Sequence, residues 1–327
     1  MSPSARLSQK ALAPPAASQE RNMADTYIIT GNQGFVGQRL CRRLLLRGDN
    51  VIGIDRKSPA GEENQQYRSI TLDLADRGEV LKHAALFKSA RAVIHLAGRI
   101  GQGPGDTLEQ HLRANLRTTE NLLAAIKGAE AALVFSSTMY VFGIEPDRLP
   151  VGEDQPPRPV TPYGLTKLAA EYAVERMARA GSIRAIVLRY PGIFGLGSDV
   201  AIQLYASKAL AGEPVSVYGG GRTIRDYVHV DDVVDANLLA AKAAPGIGWG
   251  LYHIGSGEAL TLLQIAQCVV KAVGKGSVES NDRPAPFDFM FDISRARQDL
   301  GYMPQPIDKR ILQYVADLRD CPPATER

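Results

Sequence analysis

The sequence predicts an α/β protein in which a doubly wound parallel sheet is followed by a smaller C-terminal lobe. Between Tyr27 and Tyr190, short apolar runs alternate with longer stretches of helical periodicity. The runs are apolar at consecutive positions, which is typical of parallel strands that are covered by helices on both faces. After Tyr190, Gly- and Pro-rich loops with shorter helices indicate a second lobe over the carboxyl edge of the sheet. This pattern excludes helical bundles and β-sandwiches.

The predicted elements follow one another in a regular order. The predicted strands are residues 27–30, 51–55, 69–74, 92–98, 132–137 and 184–190, and the predicted helices are residues 35–47, 78–87, 107–126 and 163–180. Residues 1–22 are rich in Ser, Ala and Pro and lack apolar periodicity, so we expect a disordered extension. We expect residues 23–190, with returning segments at about 226–256, to form the first domain. Residues 191–327 then form mainly the second lobe.

Composition limits the kinds of partner that the chain can have. Its 327 residues are 45% hydrophobic and 22% charged, which is ordinary for a globular protein. No run reaches the roughly 18 apolar residues of a membrane helix. The net charge of +3 is spread along the chain without a basic block, so neither a membrane nor a nucleic acid is a predicted partner. Cys41, Cys268 and Cys321 form no CxxC motif, which predicts a reducing, cytoplasmic location and no metal site.

A glycine-rich loop follows the first predicted strand and opens the first predicted helix. In "TGNQGFVGQ", Gly31, Gly34 and Gly37 precede or flank Phe35 and Val36 at the start of that helix. Glycine lets the chain turn tightly and approach a pyrophosphate, and the amides at the helix N-terminus bind the anion. Three glycines of an ordinary tight turn are the alternative. The strand before and the helix after favour a dinucleotide site of the Rossmann type.

Asp55 ends the second predicted strand, 24 positions after Gly31 (55 − 31). A carboxylate at this position accepts hydrogen bonds from the ribose hydroxyls of the adenosine and repels a 2′-phosphate. It therefore favours NAD over NADP, although Arg56 and Lys57 weaken the preference. A plain turn residue at the end of the strand is the alternative.

Tyr163 and Lys167 lie four positions apart at the start of the helix in "TPYGLTKLAAEYA". Residues i and i+4 are neighbours on a helix surface, so the two side chains share one face. Pro162 suits the first turn and places the pair at the beginning of the helix. On its own, this spacing is typical of an amphipathic helix with a solvated lysine.

Several short motifs together resemble the extended short-chain dehydrogenase/reductase family. They are TGNQGFVG, Asp55, Asp73-Leu74, HLAG, FSST, Tyr163-x-x-x-Lys167, RDYVHVDD and HIGSG, from about Thr26 to about Pro304. Within the family the chain is most similar to nucleotide-sugar epimerases and dehydratases. The resemblance implies a Rossmann-type fold, an NAD cofactor, a nucleotide-sugar substrate and a C-terminal lobe that binds it. It also implies a homodimer, for which residues 107–127 and 167–180 supply two long helices.

The resemblance implies a catalytic role for three residues. Tyr163 is the general base, Lys167 binds the nicotinamide ribose and lowers the pKa of the tyrosine, and Thr138 stands at the family's catalytic serine or threonine. An unperturbed tyrosine has a pKa near 10, so a phenol that acts as a base at neutral pH needs positive charge nearby. We expect Lys167 and the oxidised nicotinamide to supply that charge.

The remaining matches concern cofactor and substrate binding. The resemblance implies that Arg99, Arg225 and Arg283 bind the substrate together with Thr138 and Tyr163, since a guanidinium suits a diphosphate. A solvated side chain is the alternative for Arg99 and Arg283. The implied cofactor-binding residues are Gly31, Gly34, Phe35, Val36, Gly37, Asp55, Asp73, Leu74, Leu96, Ala97, Gly98, Ser136, Tyr163, Lys167 and Tyr190.

Four polar residues near these motifs have a structural interpretation beside the functional one. Asp73 could instead cap the helix that follows it. His95 ends an apolar strand, which favours a packed core histidine over a catalyst. Asp226 is expected to order the loop beside Arg225, and His229 has a structural role as its alternative.

The residues after Thr138 discriminate between reactions. Dehydratases of the family have acidic residues where this chain has Met139 and Tyr140, so the resemblance disfavours elimination. It implies a 4-epimerase that works through a transient 4-keto sugar. The alternatives are an NADH- or NADPH-dependent 4-ketoreductase that uses the same Tyr163 and Thr138, and a non-catalytic NAD-binding regulator. Gly192 stands where galactose-type epimerases have an asparagine, and neither the nucleotide nor the sugar can be inferred from the sequence.

Overall fold

The main sheet has seven parallel strands, and two small sheets of two strands each lie beside it. The computed structural model describes residues 24–58, 63–101, 105–143, 146–284 and 287–320. The predicted N-terminal extension, residues 1–22, and Cys321 lie outside these ranges. In chain order the strands are β1 (Thr26–Thr30), β2 (Asn50–Asp55), β3 (Tyr67–Thr71), β4 (Ala92–His95), β5 (Ala132–Thr138), β6 (Arg184–Tyr190), β7 (Gly192–Phe194), β8 (Val215–Val217), β9 (Tyr227–His229), β10 (Trp249–His253) and β11 (Val278–Ser280).

The strand order in the main sheet is β10-β6-β5-β4-β1-β2-β3. The chain moves outward from β1 to β3 and then returns to the other side with β4, so a topological switch point lies between β1 and β4. The register aligns Thr30 with Ile54 and with His95, which brings the carboxyl ends of these strands to one edge. The predicted α/β class with a doubly wound parallel sheet is confirmed.

Helices cover both faces of the main sheet. They are α1 (Phe35–Leu46), α2 (Arg77–Lys82), α3 (Ala84–Ser89), α4 (Leu108–His111), α5 (Thr118–Ile126), α6 (Pro162–Arg179), α7 (Ala201–Ala211), α8 (Val230–Ile247), α9 (Leu262–Val273), α10 (Ser294–Leu300) and α11 (Ile307–Asp320). Apolar residues of α1 and α8 pack on one face of the sheet, and those of α2, α3, α5 and α6 pack on the other. Among the described residues, no helix combines the length and the apolar character that crossing a membrane requires.

Four predicted elements differ from the observed ones by more than one residue at an end or by an interruption. The predicted helix 78–87 is divided at His83, whose Nδ1 atom lies 2.9 Å from the carbonyl of Glu79. The predicted helix 107–126 contains a π-helical turn at Leu112–Arg117 between α4 and α5. The predicted strands 69–74 and 92–98 end early, at Thr71 and His95, because the chain turns into loops at the carboxyl edge of the sheet.

A third apolar cluster forms the core of the second lobe. It joins α7, α9 and α11 to the two small sheets, in which β7 pairs with β9 and β8 pairs with β11. As the sequence predicts, α8 and β10 return to the main sheet, where β10 pairs with β6. The division of the chain into domains at residue 190 stays a prediction.

A buried ion pair ties α6 to the main sheet. Arg189 on β6 donates to Glu171 on α6 over 2.6 and 3.0 Å, and both side chains are at most 5% exposed. The hydroxyl of Ser137 on β5 also donates to Glu171. The guanidinium lies 4.9 Å from the centroid of the Phe142 ring and 3.5 Å from a ring nitrogen of His253. The position of α6 therefore depends on a charge pair that water does not screen.

We expect Arg189→Met to lower the free energy of unfolding by about 3–5 kcal/mol, because the substitution leaves the carboxylate of Glu171 buried without its partner. The matched control is Arg158→Met, which removes an ion pair with Asp147 whose side chains are 63% and 48% exposed. We expect the control to cost about 0–1 kcal/mol. Urea unfolding of both variants checks the difference, and equal losses would contradict the prediction.

Candidate active site

Residues from separate parts of the chain meet at the carboxyl edge of the main sheet. Thr30, Asp55, His95, Thr138 and Tyr190 are the last residues of β1, β2, β4, β5 and β6. Ligands of open α/β sheets bind outside this edge, next to the switch point. The structure therefore brings the predicted glycine loop, Asp55, Thr138 and Tyr190 to one place.

The glycine loop turns within a space that side chains would fill. Gly31 has a φ of +73° and donates its amide to the carbonyl of Ile54 over 2.7 Å. A Cβ atom at Gly31 would lie 2.8 Å from the amide nitrogen of Ala97. A Cβ atom at Gly37 would lie 2.2 Å from the carbonyl oxygen of Gly31. Glycine is thus required at both positions by close backbone contact.

The N-terminus of α1 has the features of an anion site. Gly34 is its N-cap, and the described residues supply neither a capping side chain nor an acidic residue in the first turn. The first-turn amides, which include those of Phe35 and Val36, therefore lack side-chain acceptors, and the helix dipole adds positive potential. Val36 packs on the core below, while Phe35 is half-buried. This terminus fits the pyrophosphate of a dinucleotide.

Asp55 and Asp73 both present carboxylates at the edge of the sheet. Asp55 is half-buried and accepts hydrogen bonds from the amides of Gln33 over 3.3 Å and Lys57 over 3.1 Å. Asp73 accepts from the amide of Ala75 over 2.9 Å and from Arg113 over 2.7 Å. Burial raises the pKa of Asp73, but these bonds outweigh it and lower the pKa overall.

Asp73 does not cap the following helix. The N-cap of α2 is Asp76, which accepts from the amide of Glu79. Leu74, which follows Asp73, is buried at 3% exposure, and the Leu74 carbonyl accepts a hydrogen bond from Asn121 over 3.0 Å. The structural alternative for Asp73 is therefore removed, and its carboxylate is free of a capping role.

Asn115, which the sequence analysis did not select, fixes the loop after β4. Its Oδ1 atom accepts from the amide of Arg99 over 2.8 Å, and its Nδ2 atom donates to the carbonyl of Arg99 and to Thr166 on α6. A Cβ atom at Gly98 would lie 2.9 Å from the same Oδ1 atom. Asn115 lies in the π-helical turn, and such turns are frequent at functional sites. The loop of Leu96, Ala97 and Gly98 is thereby held against α6.

Tyr163 and Lys167 are buried, at 8% and 5% exposure. Thr161 caps α6 by accepting from the amide of Gly164 over 3.1 Å, and Pro162 is the first residue of the helix. The alternative of an amphipathic helix with a solvated lysine is therefore excluded. The Thr138 hydroxyl at the end of β5 forms a hydrogen bond with the Tyr163 phenol.

In the protein without a cofactor, the pKa of Tyr163 is raised, and the expected lowering by Lys167 stays a prediction. Burial raises the pKa of Tyr163 to about 12, and the bond to Thr138 lowers it only in part. The Lys167 ammonium lies 4.2 Å from the centroid of the Phe135 ring instead. Burial lowers the pKa of Lys167 to about 8, while the carboxylate of Glu171 raises it. We therefore expect the phenol to act as a base only when further positive charge, such as that of an oxidised nicotinamide, lies nearby.

Two further predicted cofactor residues lie at the ends of central strands. Ser136 is half-buried near the end of β5. Tyr190 is buried at the end of β6, and its hydroxyl accepts from Asn237 over 2.9 Å. Burial raises the pKa of Tyr190, so its phenol is neutral at physiological pH.

The three predicted substrate-binding arginines have different surroundings. Arg225 is half-buried, donates to the carbonyl of Phe287 over 3.1 Å and lies 5.0 Å from the centroid of that ring. Arg99 forms an ion pair with Asp106. Arg283 is exposed, and its carbonyl accepts from the amide of Gly219 over 2.8 Å.

Asp226, His95 and His229 are integrated into the packing. Asp226 accepts from the amide and hydroxyl of Ser256 and from the amide of Phe291, and burial raises its pKa to about 6. His95 is hydrogen-bonded on both ring nitrogens, to the hydroxyls of Thr30 and Thr119, and burial lowers its pKa to about 3. Burial likewise lowers the pKa of His229 to about 4. These environments favour the structural interpretation of all three.

We expect the free energy of unfolding to fall as the pH is lowered from about 6.5 toward 4. His95, His229 and His253 have pKa values far below 6.5 in the fold, so unfolded chains bind more protons in this range. Each histidine contributes up to about 1.4 kcal/mol per pH unit. Asp226 has the opposite effect between about pH 6 and 3.8, because its pKa is raised in the fold.

Urea unfolding at pH 7.5, 6.5, 5.5 and 4.5 measures this dependence. His95→Asn removes one of the three contributing imidazoles, so its stability should fall less steeply with acid than that of the unmodified chain. A free energy of unfolding that stays constant down to pH 5 would show that the imidazoles are not buried in their neutral form.

The fold and the edge site define a dinucleotide-binding protein of the Rossmann type. Residues 27–255 match the profile of the NAD dependent epimerase/dehydratase family. The chain therefore belongs to that family, and the resemblance to extended short-chain dehydrogenases/reductases is confirmed.

Three known proteins illustrate the similarity. The dTDP-6-deoxy-L-talose 4-dehydrogenase (NAD(P)(+)) of Kitasatospora kifunensis is 33% identical over 85% of this chain and 90% of its own length. The UDP-glucose 4-epimerase of Streptomyces lividans is 29% identical over 89% of this chain and 94% of its own. The solved structure of MoeE5 in complex with UDP-glucuronic acid and NAD matches with a TM-score of 0.77, at 28% identity, over 90% of this chain and 99% of its own.

Proposed function

We propose that the protein is an NAD-dependent nucleotide-sugar 4-epimerase that works through a transient 4-keto sugar. The observation that carries the proposal is the buried set of Tyr163, Lys167 and Thr138 beside the glycine loop. Relatives that are named UDP-glucose 4-epimerase support it over nearly the whole chain. Solved structures of relatives with a nucleotide sugar and NAD support the same reaction class.

The residues at the edge of the sheet fit NAD. The glycine loop turns too closely against its own backbone to carry side chains, and the uncapped terminus of α1 supplies amides that would bind a pyrophosphate. Asp55 would bind the adenosine ribose, Asp73 and Leu74 the adenine, and Lys167 the nicotinamide ribose. Leu96, Ala97, Gly98, Ser136 and Tyr190 would line the nicotinamide side. When bound, NAD would accept hydride from C4 of the sugar, return it, and supply the positive charge that a Tyr163 phenolate needs.

The chain's own residues then move and hold the proton. Tyr163 would take the proton of the C4 hydroxyl, and Thr138 would hydrogen-bond to the phenol and to the same sugar oxygen. Burial excludes water from the phenol and the ammonium, which strengthens their electrostatic interaction with bound charges. Arg225 and Arg283 would bind the diphosphate, whereas the guanidinium of Arg99 is already paired with Asp106.

Elimination lacks a carboxyl group as proton carrier at residues 139 and 140 of the described site. Dehydration of a 4-keto sugar requires an acid or base at the neighbouring carbon. Met139 is buried at 3% exposure, and Tyr140 carries a phenol rather than a carboxyl group. These residues support epimerisation over dehydration.

One comparison favours a second candidate, a 4-ketoreductase. The relative from Kitasatospora kifunensis is named a 4-dehydrogenase that uses NAD(P)(+). Such an enzyme would use Tyr163 and Thr138 in the same way but must exchange its cofactor in every cycle. An epimerase returns the hydride to the same sugar and can retain its NAD.

We expect Tyr163→Phe to lower kcat by at least about 100-fold while the protein keeps its NAD, because the variant lacks only the proton-transferring hydroxyl. Turnover is measured as epimer formation on a panel of UDP- and dTDP-sugars. Denaturation of the purified protein and of the variant should release similar amounts of NAD. Full epimer formation by the variant would contradict the role of Tyr163. Absence of epimer formation by the unmodified protein would support a non-catalytic regulator, and purified protein without NAD would support the ketoreductase.

We also propose a cytoplasmic homodimer that pairs through the outer face of α6. Leu165 and Tyr172, seven positions apart, are 47% and 56% exposed on this face, opposite the buried Tyr163 and Lys167. Large apolar side chains on one exposed stripe are typical of helix pairing. We expect the double variant Leu165→Glu, Tyr172→Glu to be monomeric by light scattering with an unchanged far-UV spectrum. A monomeric unmodified chain would contradict the proposal.

A further inference from the structure

A second tyrosine lies beside the proposed catalytic one. Tyr140 follows Thr138 by two positions and lies in the short 3₁₀ helix Met139–Phe142, which directly follows β5. Its ring meets the Tyr163 ring edge to face, with 5.9 Å between centroids. Tyr163 is almost fully buried, but Tyr140 is only half-buried. Tyr140 therefore offers ring surface beside the group that would transfer the proton.

The backbone holds Tyr140 in this position. Its amide donates to the Thr138 hydroxyl over 3.3 Å. A Cβ atom at Gly164 would lie 2.2 Å from the Tyr140 carbonyl oxygen, so only glycine allows the first turn of α6 to approach this closely. The position of the Tyr140 ring relative to the Tyr163 ring is thus set by backbone contacts between the 3₁₀ helix and the first turn of α6.

A third tyrosine takes the space of a missing side chain. Gly192 on β7 is paired in register with Tyr227 on β9. A Cβ atom at position 192 would lie 2.8 Å from both Cδ1 and Cε1 of the Tyr227 ring. The ring therefore occupies the volume that a larger residue at 192 would need. Tyr227 follows Arg225, the proposed diphosphate-binding residue, by two positions, and the Arg225 guanidinium opposes the rise that burial causes in the pKa of Tyr227.

The rings of Tyr140 and Tyr163 are in contact, and Tyr140 adds to the raised pKa of both Tyr163 and Tyr227. Burial raises the pKa of Tyr163 and of Tyr227 further, which keeps both phenols neutral at physiological pH. These side chains therefore present hydroxyl groups and apolar ring surface without negative charge.

We propose that Tyr140 contacts the sugar and, together with Tyr227, makes the site specific for uncharged nucleotide hexoses, deoxyhexoses included, over nucleotide uronates. This inference rests on the proposed function. Phenols hydrogen-bond to sugar hydroxyls, and their rings pack on the C–H face of a hexose. A uronate would lose the hydration of its carboxylate beside these rings without gaining a cation.

Three cations of the described residues have other partners. Arg225 contacts the carbonyl and the ring of Phe287, and Arg99 is paired with Asp106. Lys167 lies over the Phe135 ring on the inner side of Tyr163. Relatives of this chain include a protein named probable UDP-glucuronate 4-epimerase as well as proteins named UDP-glucose 4-epimerase, so the family contains enzymes for both kinds of sugar.

The test compares the unmodified protein with Tyr140→Phe and Tyr140→Thr. Tyr172→Phe serves as the matched control, because that phenol lies on the outer face of α6 and the substitution keeps the ring on the proposed pairing face. Substrates are UDP-glucose, dTDP-glucose and UDP-glucuronate. We expect kcat/KM of the unmodified protein to be about 100-fold higher for the better neutral sugar than for the uronate. Tyr140→Phe should raise KM for the neutral sugar roughly threefold to tenfold, through one lost hydrogen bond.

The smaller threonine side chain should reduce the preference for the neutral sugar at least tenfold, with NAD content and melting temperature unchanged. The control should match the unmodified protein. Equal kcat/KM for glucose and glucuronate nucleotides in the unmodified protein would overturn the inference. An unchanged preference and KM in Tyr140→Thr would do the same.

Ligand binding separates this inference from the proposed function. If the unmodified protein converts none of the nucleotide sugars, the proposed function fails. The shift in melting temperature with UDP-glucose, UDP-glucuronate and UDP then decides the inference alone. A larger shift with UDP-glucose than with UDP-glucuronate that is lost in Tyr140→Thr supports it, and equal shifts contradict it.

Discussion

Burial of a phenol and an ammonium group on one face of α6 is the constraint around which the site is organised. Burial raises the pKa of Tyr163 to about 12 and lowers the pKa of Lys167 to about 8, so both groups are driven toward their neutral forms. The carboxylate of Glu171, one helical turn further along, favours the ammonium form of Lys167. We therefore expect the positive charge of a bound, oxidised nicotinamide to favour the phenolate form of Tyr163.

The surrounding structure holds α6 from several directions. Its first turn is capped by Thr161 and packs against the Tyr140 carbonyl, its middle is tied to the π-helical turn through Thr166, and Glu171 joins it to β6 through Arg189. Precise placement matters because proton transfer requires heavy atoms within hydrogen-bond distance. A sheet whose strands all end at one edge supplies the other half of the site, since loops from distant parts of the chain meet there.

Local spacing carried most of what could be inferred from the sequence. The glycine loop and the pair Tyr163 and Lys167 are short-range patterns that can be found in the sequence alone. Apolar runs separated by helices indicate a parallel sheet, so the sequence also predicted the fold class and the succession of strands along the chain. The direction of the pKa shift of Tyr163 could not be predicted, because it depends on where the Lys167 ammonium points and on burial by remote segments. Asn115 gave no signal, since a π-helical turn has no periodicity that distinguishes it from an α-helix. The pairing of Arg99 with Asp106 also spans a loop whose path the sequence does not specify.

The π-helical turn at Leu112–Arg117 also bears on how the chain tolerates changes of length. Such a turn accommodates one residue more than an α-helical turn, and each residue rotates a helix by about 100°. Removal of one residue from Leu112–Arg117 could restore regular backbone bonding between α4 and α5 without disturbing either end. The amide of Asn115 would then lose its reach to the loop after β4. The irregular helix is therefore retained together with the hydrogen bonds by which Asn115 fixes the loop after β4.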